Sequence, residues 1–100
     1  MIRLFTGFDK RESIGHAVFC HSVLKRSSEP VSIIPIGENV SRTDGTNAFT
    51  LSRFKIPELC SYSGWAIWMD GSDMLCLSDL KDLWEMRDES KAIQVVQHDY

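Results

Sequence analysis

Gly64-Trp65-Ala66-Ile67-Trp68-Met69-Asp70-Gly71-Ser72-Asp73-Met74 is the stretch that decides the fold of this chain. Its apolar run, residues 65–69, starts after a glycine and stops abruptly on an aspartate. An unbroken apolar run of strand length, with no polar alternation, is what a strand buried on both faces requires, so 65–69 is predicted to be a central strand of a parallel sheet. Asp70-Gly71-Ser72-Asp73 then makes a turn at the end of that strand, where glycine can take backbone angles closed to other residues.

Working upstream, residues 2–6 form a short run bounded by Gly7, consistent with a buried strand, and Asp9 follows as a helix N-cap. Glu12 stands at capping-box spacing from Asp9, and Ile14, Ala17, Val18 and Leu24 recur on one helical face, which is expected to point inward. Ser27-Ser28-Glu29-Pro30 ends that helix, because proline disfavours the α conformation in the residue before it. Residues 31–36 read as a second strand, with Pro35 marking a strand end or a sheet edge. Residues 37–47 are polar and aperiodic, a long loop. Residues 49–59 carry Leu51, Phe54 and Leu59 at roughly helical spacing and predict a brief helix cut short by Pro57. Downstream of the deciding stretch, Ser78 can cap a helix over 80–86 with Leu80, Leu83 and Trp84 inward, and 92–96 predicts a last strand. The fold class is therefore α/β: a mostly parallel sheet with helices on both faces, whose ligands gather beyond the carboxyl ends of the strands.

The bulk numbers set limits. A chain of 100 residues holds a single domain, 1–100, and 43% hydrophobic with 25% charged residues is ordinary globular composition. A net charge of −3 without a basic stripe argues against nucleic acid or an anionic membrane surface as partner. Three cysteines, Cys20, Cys60 and Cys76, are odd in number and never form a CxxC, so neither a disulfide framework nor a thiolate zinc site is expected. A reduced, cytoplasmic chain without a transmembrane segment is the simplest expectation. No Gly-Lys-Ser/Thr phosphate loop and no GxGxxG is present, which sets aside two large nucleotide-binding classes. His16 and His21 lack the i, i+4 spacing of a zinc pair and read as ordinary helix residues.

The chemistry concentrates at Asp70 and Asp73. Taken alone, Asp-Gly-Ser-Asp reads as a turn. At the mouth of a buried strand, however, two carboxylates lose water and repel each other, and a hard divalent cation, Mg²⁺ or Mn²⁺, is the natural counter-ion. Such an ion would in turn grip a diphosphate.

Four segments carry a family resemblance that spans nearly the whole chain: residues 2–9, 49–54, 64–74 and 95–100. In that order they resemble bacterial glycosyltransferases of the GT-A fold, near the family 8 group, and this chain resembles the N-terminal, nucleotide-sugar-binding half of such a domain. The resemblance implies that Thr6, Gly7 and Asp9 lie near the nucleotide, that Arg53 approaches the diphosphate or sugar, and that Asp70 and Asp73 are metal ligands. Asp70 could equally be a ribose partner. The family has one spacer between its two carboxylates, whereas here two residues intervene. A third ligand, often a histidine, comes from the later half of such domains, beyond Tyr100.

The activity implied is transfer of a sugar from a nucleotide diphosphate sugar, a UDP-sugar first, to an acceptor the sequence does not name, with a lean towards retention. No covalent nucleophile is identified, and hexosyltransferase-like activity is expected only of a complete domain. The alternative is a non-catalytic, truncated nucleotide-sugar-binding or partner-interaction domain. A third reading, a phosphatase using Asp70 as nucleophile, wants an Asp-x-Asp that is absent. A sheet ending at Tyr100 would expose an apolar edge, which predicts self-association.

Overall fold

The computed structural model describes residues 1–38 and 48–99. Among them, three strands, β1 (Ile2–Gly7), β2 (Val31–Ile36) and β3 (Ile67–Met69), form one sheet in the order β2-β1-β3. Every pairing is parallel, with Leu4 opposite Ile33 on one side and Ile67 on the other, and Thr6 opposite both Pro35 and Met69. The α/β class with a parallel sheet is thus as expected. The placement of the strands is not: β1 is the central strand, and the 65–69 run yields a three-residue strand at the edge. Arg3 explains the shortening. Its guanidinium donates to the carbonyls of Trp65 (2.9 Å) and Ser63 (2.8 Å), so the backbone before Ile67 bonds a side chain instead of the ladder.

Asp9 begins the first helical segment as the sequence predicts, accepting a hydrogen bond from the Arg11 amide into a short 3₁₀ turn, Lys10–Glu12, that leads to α1 (Ser13–Arg26). The buried face of α1 is a correction. His16, Phe19, Ser22 and Val23 point inward, while Ile14, Val18 and Leu24 are 82%, 50% and 57% exposed. Spacing alone could not choose between two sides that both carry apolar residues. The inward polar groups are satisfied, since the Ser22 hydroxyl donates to the Phe19 carbonyl and accepts from the Cys76 amide.

A 3₁₀ turn, Ser52–Lys55, runs into α2 (Ile56–Leu59), where Pro57 sits within the first turn and does not cut the helix off. The third helix, α3 (Leu80–Trp84), is capped by Asp79 and not Ser78, through the Lys81 amide at 3.1 Å. Leu80 is buried, whereas Leu83 is 40% exposed. Residues 92–96 form no strand: Gln94 accepts from the Asp88 amide and donates to the Met86 carbonyl, which ties the segment to the end of α3 instead of along β3. Of the predicted 37–47 loop, residues 39–47 lie outside the described residues.

The two-residue period of the strands sorts the core. Ile2 and Leu4 meet Phe19 and Val23 of α1 and Leu80 of α3, with Val31, Ile33, Ile67 and Met69 around them. The opposite face of the sheet carries Phe5 and Trp68, and Phe49 packs there with its ring 6.1 Å from that of Trp68. Among the described residues no helix is long and apolar enough to cross a membrane.

Candidate functional site

Because the strands are parallel, the carboxyl ends of β1 and β3 open on the same edge, and five of the six residues predicted for the site, Thr6, Gly7, Asp9, Arg53 and Asp70, gather there. Gly71 takes a φ of +90°, a backbone angle that favours glycine, and the turn it opens is closed by a bond from the Met74 amide to the Gly71 carbonyl at 3.1 Å. A methyl group on Gly71 would meet the Phe19 ring, the Thr6 Cβ and the His16 ring at 3.4 to 3.7 Å, so the turn rests on those three side chains. A methyl group on Gly15 would overlap the Ser72 carbonyl oxygen, which places the same turn directly against α1.

Beneath the turn is a buried polar pair that the sequence reading passed over. The Thr6 hydroxyl lies 2.7 Å from His16 Nε2, and Cys20 Sγ lies 3.7 Å from Nδ1. Phe8 stands edge-on to the imidazole at 5.2 Å. Burial holds the His16 pKa below its ordinary value, so the ring is neutral at pH 7, and burial pushes the Cys20 thiol up, away from reactivity. Thr6 is fully buried and serves the site as a floor. His16 shares its helical face with Phe19 and Val23, at i, i+3 and i+7, a partial signal that the apolar residues on the other side of α1 masked.

Asp9 is almost fully enclosed, at 5% exposure. Oδ1 accepts from the Arg11 amide (3.0 Å) and Nε (3.1 Å), and Oδ2 accepts from Arg11 Nη2 (2.7 Å) and the Ala48 amide (3.0 Å). The Arg11 guanidinium, with these amide donors, holds the Asp9 carboxyl far below the usual carboxylate range. Asp9 thus pins the 48–50 turn to the end of β1, where a methyl group on Gly7 would overlap the Phe49 ring.

Arg53 and Asp70 meet across the mouth of β3, Nη2 to Oδ1 at 3.4 Å. The Arg53 guanidinium also lies over the Trp68 ring, 5.3 Å from its centroid, and its Nε is buried without a hydrogen-bond partner. Asp70 is about half exposed at 46%, and Asp73 faces solvent on the turn. Trp68, which packs against Phe49, therefore also shelves the arginine.

The two carboxylates fit a hard divalent cation in chemistry. Mg²⁺ and Mn²⁺ take oxygen ligands, commonly one or two protein carboxylates with the remaining positions left to water and phosphate, and both Asp70 and Asp73 are open to solvent. Among the described residues, no group of three or more His, Cys, Asp or Glu side chains is assembled to hold a metal ion unaided. Any ion here would rely on a ligand for much of its coordination.

Protein CDI of Arabidopsis thaliana is 42% identical to this chain over 108 residues, a match that covers 98% of the chain and 41% of the plant protein. The chain thus spans less than half the length of that relative, whose name designates no reaction or ligand. No protein-family profile and no solved structure matches the chain.

Proposed function

We propose that this chain supplies the nucleotide-sugar-binding part of a metal-dependent glycosyltransferase of GT-A type, with a UDP-sugar as the first donor to test. The observation that carries the reading is the Arg53–Asp70 pair at the carboxyl ends of two parallel strands, beside the Gly71 turn. An arginine fork and a half-exposed carboxylate at one strand mouth are the groups needed to hold, respectively, a diphosphate and its counter-ion.

In this reading Asp70 and Asp73 anchor Mn²⁺ or Mg²⁺, which when bound would stabilise negative charge on the departing diphosphate. Arg53 binds the diphosphate oxygens. Gly7 leaves the end of β1 free of a side chain, with the Phe49 ring packed against it. Thr6 and His16 hold the floor of the site through their hydrogen bond, and Asp9 fixes the wall at residues 48–50. The acceptor and the transfer step belong to the rest of a complete domain.

The test is calorimetric titration of UDP and of GDP, with and without Mn²⁺, into the protein and into the Asp70→Ala/Asp73→Ala double variant. Metal-dependent binding of one nucleotide that disappears in the variant is the expected result. Absence of binding to a protein shown to be folded by circular dichroism would sink the proposal.

A further inference from the structure

Resting on that reading, we infer that Arg53 is an internal competitor for the cation: its guanidinium neutralises Asp70 while the site is empty and transfers to the diphosphate when a metal-bound nucleotide arrives. Four observations carry this. Arg53 Nη2 lies 3.4 Å from Asp70 Oδ1, so a positive charge already faces the carboxylate assigned to the metal. The pair is held loosely, with side-chain exposures of 37% and 46% and a single contact at a distance longer than a good charge-assisted hydrogen bond. Arg53 Nε is buried with no partner, which leaves a guanidinium donor unmet in the resting arrangement. The Trp68 ring under the guanidinium gives the side chain a shelf on which to swing without losing its packing.

The two roles of Arg53 act in opposite directions on two ligands, which separates them from a purely structural ion pair. Without nucleotide, the guanidinium opposes Mn²⁺ by pairing with Asp70 and by repelling a second positive charge. With nucleotide, the same guanidinium favours binding through the diphosphate. Occupancy by metal alone is suppressed, and metal and nucleotide enter together.

The experiment measures Mn²⁺ binding to the whole chain from the loss of the free-ion electron paramagnetic resonance signal, and UDP binding in saturating Mn²⁺ by calorimetry. The proteins are wild type, Arg53→Gln, Arg53→Lys and Asp70→Ala, each confirmed folded by circular dichroism. Removing an exposed pair of this kind should tighten Mn²⁺ by about three- to fivefold in Arg53→Gln, while loss of the fork should weaken UDP by about tenfold or more. Arg53→Lys keeps the charge and should hold Mn²⁺ affinity within about twofold of wild type. If Asp70→Ala abolishes Mn²⁺ binding but Arg53→Gln leaves it unchanged or weaker, the competitor role is overturned and the metal site stands. If no protein binds Mn²⁺ or UDP, the metal-site reading falls and the inference falls with it.

Discussion

Gly15 of α1 lies so close to the Ser72 carbonyl oxygen that a side chain of any size would overlap it. The helix and the Asp70–Asp73 turn thereby meet backbone to backbone, in addition to the side chains of Phe19 and His16 on which the turn rests. Gly15→Ala is a helix-favouring change worth about 1 kcal/mol of stabilisation where space is open. Here it should instead destabilise by about 1–3 kcal/mol, the usual range for overpacking, and weaken metal-dependent nucleotide binding by displacing the turn. Urea unfolding reads the sign, and a stabilised variant would show that the contact does not exist.

Acid should loosen the protein in two separable steps. Burial lowers the His16 pKa, so the folded state disfavours the imidazolium, and that stability is full above the unfolded histidine value of about 6.5 and declines as pH falls through it. The Asp9 carboxyl is also depressed, by Arg11 and the amide donors, so its contribution to stability is present above the ordinary aspartate value of about 3.8 and is lost as pH falls further. His16→Gln should flatten the upper part of the stability–pH curve and Asp9→Asn the lower part. A curve unchanged between pH 7 and 5 in the wild type would contradict the buried, neutral imidazole.

The two sides of α1 should respond to mutation with very different magnitudes. Phe19→Ala empties the centre of the core and should cost about 3–5 kcal/mol, whereas Ile14→Lys and Leu24→Lys on the exposed side should stay within about 0.5 kcal/mol of wild type. Denaturant midpoints measure both. A large loss for Ile14→Lys would mean that this side is covered in solution.

Cutting the tie between the 48–50 turn and β1 should act on the site more than on the fold. Asp9→Ala removes the acceptor of the Ala48 amide and of Arg11, so Phe49 loses its fixed place on Gly7. Nucleotide binding should weaken by about tenfold or more, and 1-anilinonaphthalene-8-sulfonate binding should remain low if the core is intact.

Much of this architecture was legible in the residues. Gly7, Asp9 and Pro30 stand at the end of β1, at the start of the 3₁₀ turn that leads into α1 and just before β2, because glycine, a capping carboxylate and proline act through local geometry. What could not be read was set by contacts distant in sequence. Arg3 shortens β3 by taking the Trp65 carbonyl, and Gln94 holds residues 92–96 away from the sheet. Thr6 made His16, a polar residue, the inward face of α1. At the site, sequence pointed to Asp70 and Arg53 separately; their pairing, and the Trp68 shelf that joins them, exist only in three dimensions.

The position of β1 at the centre of the sheet also governs how the chain can assemble. Among the described residues, the strand earliest in the sequence is the one on which both other strands depend, since β2 and β3 pair with β1 and not with each other. Its apolar residues Ile2, Leu4 and Phe5 must wait for Val31 onward on one side and, much later, for Ile67 to Met69 on the other. Long-range parallel pairing of this kind forms slowly and leaves sticky intermediates behind it. The β1 segment therefore stays without its partners until the residues of β2 and β3 are in place, and the site at the strand ends comes into being only when the chain is formed as far as Asp73.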